Sequence, residues 1–523
     1  MTLIEAREKT LFGHPVGLFI LFFTEMWERF SYYGMRALLV LYLIESVTSD
    51  NPGLGWTSKN ASSLYGWYTM LVYITPILGG IIADKILGFR KAIIIGALLM
   101  TLGHLSLAFQ PLPAFYLGLI LLIVGNGFFK PNISSIVGQL YPDGSDLKDS
   151  GYTIFYQGIN VGAFLGTLIC GYLAETIGWH VGFGVAGIFM FIGMIQFMIA
   201  QKILGDIGLP PQDGNLENND DLIDSIENVQ AKPLDKVEKD RLVVVGVLAF
   251  FSIFFWACFE QAGSSMNIFA KEYTNRALIS SSQINTFRIV SLFISTLPVI
   301  ILTYIFVTMT RKIGKALPVA MGFMGLTVVI LWGIIVYMLN RQFTDVNPEV
   351  PATWFQTLNA LFIFTLAPVF SMIWNALAHS KYNPDGPQKF AIGLLLLGIG
   401  FIPLVIGSAG IGGEFDAKKA SMLWLILAYM LHTMGELCLS PVGLSYVNKL
   451  SPKRLLGIMF GIWFFASAMG NMLAGTMASY MEQIAESISM SSFFRIFVVI
   501  PIVAGIILFL LSIPMRKLTH GVK

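Results

Sequence analysis

The chain consists of long apolar segments separated by short polar connections. An α-helix needs about 20 mostly apolar residues to cross the hydrocarbon core of a bilayer, and stretches of this kind recur along the whole sequence. They predict fourteen membrane-spanning helices, near residues 17–45, 60–87, 91–111, 113–138, 152–175, 181–200, 242–269, 284–310, 316–339, 354–378, 390–411, 420–447, 457–481 and 493–515. The even number predicts that both termini lie on the same side of the membrane.

The first apolar segment is unusual because it carries four charged residues, Glu25, Glu28, Arg29 and Arg36. A charged group at the centre of a bilayer costs roughly 2.5–3.5 kcal/mol, so such groups face partners or water instead of lipid. At about 100° per helical residue, the four side chains and Tyr32 fall within an arc of about 100°. This polar stripe predicts that the first helix lines an interior site.

The composition points to the same class of protein. Hydrophobic residues make up 55% of the 523 residues and charged residues only 12%, which is more apolar than a water-soluble domain requires. The net charge of +2 does not suggest nucleic-acid binding. The three cysteines lie inside apolar segments, which argues against a disulfide framework. The first fifteen residues lack the apolar core of a signal peptide, so we expect the first span to remain in the mature protein.

The distribution of Lys and Arg predicts the orientation of the spans. With a cytoplasmic N-terminus, the cytoplasmic segments hold 22 of these residues, the opposite loops hold 6 and the spans hold 5. Cytoplasmic loops of membrane proteins carry an excess of Lys and Arg. We therefore expect a multi-pass protein of the cytoplasmic (inner) membrane with both termini in the cytoplasm.

One long polar segment, residues 201–241, interrupts the series of spans. Its paired prolines and alternating charges predict a cytoplasmic linker. The linker separates an N-terminal bundle of six spans, residues 1–200, from residues 242–523, which contain eight. The second part is expected to be a six-helix bundle with an extra pair of helices at about 284–339.

The short loop after the second span contains the pattern Gly80-x3-Asp84-x3-Gly88-x-Arg90-Lys91. The glycines allow a tight turn, and Asp84 can pair with a cation or a helix end at a cytoplasmic gate. The pattern resembles the loop motif of the major facilitator superfamily. The alternative is a helix-capping Asp in an ordinary positively charged loop.

Four further motifs resemble those of the proton-coupled oligopeptide transporters, a branch of that superfamily. The first, at residues 25–34, reads Glu-x-x-Glu-Arg-Phe-x-Tyr-Tyr-Gly, and the others lie at residues 125–131, 155–162 and 435–445. The resemblance implies an all-α membrane protein with the major facilitator superfamily fold, two six-helix bundles plus an extra pair of transmembrane helices. It also implies proton-driven uptake of di- and tripeptides.

The sequence departs from that family in three respects. Asn126 stands where the family usually has threonine in Gly-Thr-Gly-Gly. Many bacterial members carry the extra helix pair between the two halves, whereas here it follows the span that contains Glu260. Mammalian members have a histidine after a tyrosine on the second helix. Here Tyr65 is followed by Gly66, so a histidine relay at that position is not expected.

The balance of charges within the spans favours proton coupling independently of the resemblance. Four carboxylates lie centrally in spans against three cations, namely Glu25, Glu28, Glu260 and Glu436 against Arg29, Arg36 and Lys130. An excess carboxylate in a cavity of low dielectric constant binds a proton readily. The alternative is that these residues form fixed ion pairs that hold helices together.

A dipeptide is a zwitterion, so its site needs opposite charges on opposite walls and apolar pockets for its side chains. The resemblance implies that Glu436 binds the peptide amine and that Arg29 and Lys130 bind its carboxylate. The complete set of expected substrate-binding residues is Arg29, Arg36, Lys130, Tyr32, Tyr33, Tyr73, Tyr156, Asn160, Asn359, Glu436, Ser440 and Trp463. Packing is the alternative role for each aromatic residue. The resemblance assigns proton coupling to Glu25, Glu28 and Arg29, and gating to Asp84, Arg90 and Glu260.

We therefore expect a secondary symporter in the lipid bilayer that works by alternating access, functions as a monomer and is not an enzyme. Its ligands would be di- and tripeptides and protons, without a metal or a cofactor other than the coupling proton. No Gly-x4-Gly-Lys-Ser/Thr motif for ATP is present in the sequence. Two alternatives stay open: a transporter of the same fold for nitrate, an amino acid or a drug, and a sensor that no longer transports.

Overall fold

The computed structural model describes residues 2–142, 144–210, 233–411 and 419–522. The α-helices of this part of the chain are labelled α1 to α17 in chain order. They are Leu3–Arg7, Val16–Ile44, Ser58–Ile82, Phe89–Leu107, Leu112–Gln139, Leu147–Thr176, Trp179–Ala200, Lys236–Phe259, Ser265–Ile268, Ser281–Ile313, Pro318–Thr344, Trp354–Ala378, Gly386–Gly407, Met422–Leu450, Leu456–Ala478, Met481–Ser487 and Met490–Leu518. The middle of the expected linker, residues 211–232, lies outside the described residues.

The strands of the described residues are short and lie in connections. Thr10–Leu11 pairs with His14–Pro15 in antiparallel fashion, and Thr274–Asn275 pairs with Ala420–Ser421 in parallel fashion. Each strand has only two residues, so the architecture is set by the helices.

Thirteen helical segments among the described residues are long and apolar enough to cross a membrane. The remaining long helix, α2, has 29 residues and carries the four charged side chains, all of them buried. Because of these charges, apolar composition alone does not identify α2 as a span. Together these helices correspond to the fourteen predicted spans.

The largest difference between predicted and observed helix starts is at α8, which begins at Lys236 instead of 242. Asp235 accepts a hydrogen bond from the backbone N–H of Glu238 at 2.7 Å, and the Glu238 side chain bonds the N–H of Asp235 at 3.1 Å. This capping box satisfies the first N–H groups of the helix in polar sequence. The helix therefore starts before the apolar run does.

Helix α8 ends in an irregular segment instead of a simple stop. It continues as a 3-10 turn at Glu260–Gly263 and, after α9, as a π-helical turn at Phe269–Tyr273. The side chain of Gln261 stabilises the break by donating to the carbonyl of Ala474 on α15 at 3.0 Å. Irregular turns inside a span often mark functional hinges. Glu260 stands at the first residue of this one.

The described residues form two compact units. The first comprises those of Met1–Trp56, Thr75–Pro211 and Arg276–Ala360, and the second those of Thr57–Ile74, Gln212–Asn275 and Leu361–Lys523. The extra helix pair, α10 and α11, belongs to the first unit, where α11 packs against α7. The division at residues 201–241 made from the sequence stays a prediction.

In the first unit, helix α2 lies close against α6. Gly158, Gly162 and Gly166 recur one turn apart on α6 and face α2. A Cβ atom at Gly158 would lie 2.9 Å from the ring of Phe22, and one at Gly162 would collide with the backbone of Met26. Small residues at this spacing allow two membrane helices to approach closely. The contact fixes the part of α2 that carries the charged stripe.

A carboxylate at the end of α6 anchors the connections of the extra helix pair. Glu175 accepts hydrogen bonds from the backbone N–H groups of Ala352 and Thr353, both at 2.9 Å, and from the Thr353 hydroxyl at 2.7 Å. Its carboxylate also lies 3.7 Å from the guanidinium of Arg276. Arg276 precedes the pair and Thr353 follows it, so one residue ties both connections to the first unit.

In the second unit, the N-terminal part of α3 lies close against α15. A Cβ atom at Gly66 would lie 2.9 Å from the Cα atom of Gly475. Any side chain larger than hydrogen at this position would push the two helices apart. The missing histidine after Tyr65 therefore has a packing reason in this chain.

Candidate functional site

A buried cluster of ion pairs lies on α2. Arg29 Nε is 3.2 Å from Glu25 Oε1, and Arg29 Nη2 donates to Glu28 Oε1 at 2.6 Å. A second hydrogen bond joins Arg29 Nε to Glu28 Oε2. The three residues are each at most 3% exposed. Burial of this kind is tolerated only where the charges are paired and hydrogen-bonded.

The two carboxylates of the cluster are not equivalent. Both oxygens of Glu28 accept hydrogen bonds from Arg29. Glu25 makes one contact with Arg29, and its Oε2 has no hydrogen-bond partner among the described residues. A buried charged oxygen without a donor is unfavourable. Glu25 is therefore the less stabilised anion of the two.

Asn126, on α5, belongs to this cluster, although the sequence patterns assigned it no role in the site. Its Nδ2 donates to Glu28 Oε1 at 3.1 Å, and the residue is 1% exposed. The one indication in the sequence was that Asn126 stands where the oligopeptide transporters usually have threonine. The amide adds a further donor to Glu28, which increases the difference between Glu28 and Glu25.

For the peptide transport that the sequence predicts, we expect Asn126→Ala to lower driven uptake and exchange together, because it removes a donor from Glu28, which holds Arg29. A hydrogen bond to a charged group contributes about 1.5–3 kcal/mol, and about 1.4 kcal/mol corresponds to a tenfold change in an equilibrium. The measurement is the pH dependence of both reactions in proteoliposomes. Asn132→Ala is the control, because Asn132 lies on the same helix and donates to the carbonyl of Phe128. Equal effects of the two substitutions would contradict the role of Asn126.

Aromatic contacts extend the cluster along α2. Arg29 Cζ lies 5.2 Å from the ring centroid of Tyr32, and Arg36 Cζ lies 5.7 Å from that of Tyr33. The two rings are 5.1 Å apart. Lys130, on α5, is close enough to interact electrostatically with Arg29 and with both carboxylates. Seven of the predicted residues thus share one polar region of the first unit.

The first unit also contains the predicted asparagines and Tyr156. Asn160, on α6, is 5% exposed, and its Nδ2 has no hydrogen-bond partner among the described residues. Tyr156 lies one turn earlier on the same helix and is 49% exposed. Asn359 lies on α12 and is partly exposed. A buried amide without a protein acceptor is suited to bind a ligand oxygen.

The predicted amine-binding residues lie on α14 in the second unit. Glu436 is partly exposed, and Ser440 follows it by one helical turn. The buried Oγ of Ser440 has no hydrogen-bond partner among the described residues. Trp463, on α15, is 5% exposed, its ring centroid lies 6.2 Å from that of Phe390, and it contacts α14 at Gly443. These contacts give Trp463 a packing role within the unit.

The loop residues assigned to gating have different environments. Asp84 is exposed in a π-helical turn, Ala83–Leu87, that ends at Gly88. Arg90 is 7% exposed and donates to the carbonyl of Ile207 at 2.6 Å and to that of Gly205. Arg90 therefore holds the segment that follows α7 against the start of α4.

The third residue assigned to gating, Glu260, is 2% exposed at the break in α8. The hydroxyl of Tyr65, on α3, donates to Glu260 at 3.4 Å. Tyr73 lies on the same part of α3 and belongs to the same unit.

Among the described residues, no three His, Cys, Asp or Glu side chains are grouped so that they could hold a metal ion.

Comparison with known proteins identifies relatives over the whole chain. A model of the POT family matches residues 90–214 and 316–496. The peptide transporter YePEPT of Yersinia enterocolitica is 31% identical, over 98% of this chain and 97% of its own. The di-/tripeptide transporter of Lactococcus lactis subsp. cremoris is 32% identical, over 99% of each chain.

A crystal structure of a POT family transporter in complex with a thioalcohol-conjugated peptide matches with a TM-score of 0.75. The two sequences are 27% identical, over 99% of this chain and all of that one. These matches confirm the predicted fold class, an all-α membrane protein with the major facilitator superfamily fold. They also confirm that the chain is a multi-pass membrane transporter and not an enzyme.

Proposed function

We propose that this chain, which belongs to the POT family, imports di- and tripeptides together with protons across the cytoplasmic membrane. The observation that carries the proposal is the buried Glu25–Arg29–Glu28 cluster on a helix that is otherwise apolar. Two carboxylates that share one guanidinium can release it when one of them takes up a proton. The freed guanidinium can then bind the carboxylate of a peptide.

The asymmetry of the cluster indicates which carboxylate carries the proton. Glu28 is held by Arg29 and Asn126, whereas one oxygen of Glu25 has no donor among the described residues. Protonation of Glu25 therefore removes an unfavourable buried charge and breaks only one contact. We assign proton transfer to Glu25, and to Glu28 the role of holding Arg29 when no peptide is bound.

In the proposed cycle, the transporter facing outward takes up a proton on Glu25 and a peptide. By the resemblance to the family, Arg29 and Lys130 bind the peptide carboxylate and Glu436 binds the amine, and Asn160, Asn359 and Ser440 are further polar residues proposed to bind the peptide. After the transporter opens inward, Glu25 loses its proton and competes for Arg29, which releases the peptide. No cofactor other than the proton takes part, and one monomer suffices.

The electrochemical gradient of protons is large enough to drive this cycle. One proton supplies about 2.3 kcal/mol per 100 mV of membrane potential and about 1.4 kcal/mol per pH unit. Since about 1.4 kcal/mol corresponds to a factor of ten, either contribution supports at least tenfold accumulation.

The excess of Lys and Arg in the expected cytoplasmic segments supports cytoplasmic termini.

Purified protein in proteoliposomes tests the proposal. An inward proton gradient is expected to drive accumulation of radiolabelled dialanine, and unlabelled di- and tripeptides are expected to compete better than tetrapeptides or free alanine. A proton ionophore should abolish accumulation. Competition by nitrate or free amino acids but not by peptides would indicate a different substrate. No accumulation of any of these solutes in protein that is still folded would indicate a sensor.

A further inference from the structure

A cavity of about 670 Å³ lies within the second unit. Its wall is formed by the end of α12, the loop that leads into α13, the second half of α14 and the end of α17. In the proposed topology, this end of the unit faces the cytoplasm.

The cavity is separate from the proposed peptide site. Cys438 and Ser445 line it on α14. At about 100° per residue, these two side chains lie about 180–200° around the helix axis from Glu436, and the other α14 residues of the lining lie about 80° or more from it. A ligand in the cavity would therefore bind on the opposite face of the helix that carries the amine-binding residue.

The side chains that line the cavity are strongly basic. Among the described residues, four cations, Lys381, Lys389, Lys449 and Arg516, line it with a single carboxylate, Asp385. Both oxygens of Asp385 are engaged. One accepts a backbone N–H in the first turn of α13 at 3.0 Å, and the other accepts from Arg516 Nε at 3.1 Å. The lining thus carries an excess of positive charge.

Lys389 concentrates this charge. Its Nζ lies 4.8 Å from the ring centroid of Trp374, and it is close enough to interact with the opposite charge of Asp385 and, more weakly, with the like charge of Lys449. A bound anion would relieve that repulsion. The first residues of α13, a helix of 22 residues, also line the cavity and present the positive end of its dipole, which the capping carboxylate of Asp385 offsets in part.

Part of the remaining lining is apolar, with Trp374, Ala378, Leu437, Pro441 and Val442 among its residues, and part is polar but uncharged, with Ser380, Asn383, Ser445, Tyr446 and Thr519. A small hydrated ion gains nothing from apolar walls, whereas an amphiphilic anion does. Basic pockets between membrane helices on the cytoplasmic side are suited to anionic lipid headgroups.

We propose that this cavity binds a phosphate group, supplied by the headgroup of an acidic phospholipid in the cytoplasmic leaflet. Lys389 and Lys449 donate to the phosphate oxygens, and the apolar wall contacts the glycerol and the first methylene groups. The same phosphate chemistry could be supplied by inorganic phosphate, so the test has separate arms for the two sources.

The test uses the full-length protein in nanodiscs. One arm compares phosphatidylcholine nanodiscs with and without phosphatidylglycerol, and measures lipid retention by native mass spectrometry together with the thermal unfolding midpoint. The other arm titrates inorganic phosphate in phosphatidylcholine alone. The double variant K389Q/K449Q is compared with K453Q/K517Q, which removes the same charge from lysines outside the cavity lining. The variant K389R/K449R keeps the charge.

We expect K389Q/K449Q to lower phosphatidylglycerol retention by roughly tenfold or more, as the loss of two charge-assisted contacts implies. The control pair and the arginine pair should behave like the wild type. Equal losses in both glutamine pairs would overturn the proposal, because they would reflect general surface charge. A stabilisation by inorganic phosphate that phosphatidylglycerol does not reproduce would overturn the assignment to lipid. The readout is binding, so it does not depend on which solute is transported.

Discussion

Replacing Glu25 by glutamine is expected to abolish proton-driven accumulation of dialanine while peptide exchange stays measurable. Glutamine has the shape of a protonated glutamic acid but cannot release a proton, so Arg29 stays available to the peptide in every step. Proteoliposomes with a pH gradient measure accumulation, and proteoliposomes with equal peptide on both sides measure exchange. The loss should be at least the roughly tenfold accumulation that one pH unit supports.

Glu28→Gln is the matched variant on the same helix. Glu28 accepts two hydrogen bonds from Arg29 and one from Asn126, so its substitution disturbs the position of the guanidinium itself. Exchange and accumulation should therefore fall together in this variant. If Glu25→Gln lost exchange to the same extent, both carboxylates would have a structural role, and Glu25 would not be the proton carrier.

The helices could be predicted from the sequence because the bilayer imposes a length and a composition on each span. The break at Glu260 could not, since it depends on a contact between Gln261 and the backbone of Ala474, which is more than 200 residues away in sequence. The start of α8 was placed late for a different reason. A capping box at Asp235 begins that helix in polar sequence, where counting apolar residues does not reveal a helix.

The helical period was enough to bring Glu25, Glu28 and Arg29 to one side of α2, because residues three and four apart share a face. It could not separate the two carboxylates, since that difference depends on how the Arg29 side chain is oriented and on a further donor from another helix, Asn126. A local pattern also cannot explain Gly66. Its reason is the close approach of Gly475 on a distant helix.

Glu436→Gln is expected to cause the second large loss, in the uptake of peptides with a free amino terminus. A carboxylate that faces an ammonium group in a site of low dielectric constant forms a strong, charge-assisted contact. Removing one partner of such a pair costs about 2–5 kcal/mol, which corresponds to a fall of roughly thirtyfold or more in kcat/KM. Initial rates of driven dialanine uptake at several concentrations would measure it.

The blocked peptide N-acetyl-dialanine separates amine recognition from general damage to the protein. It has no ammonium group, so its residual transport should be nearly the same in wild type and in Glu436→Gln. Ser440→Ala, one turn further along α14, should reduce dialanine uptake less, because it removes a neutral hydroxyl instead of a charge. If Glu436→Gln lowered transport of free and blocked peptides equally, Glu436 would be supporting the helix and not binding the amine. A carrier of nitrate would be insensitive to the substitution, since that substrate has no positive end for Glu436 to bind.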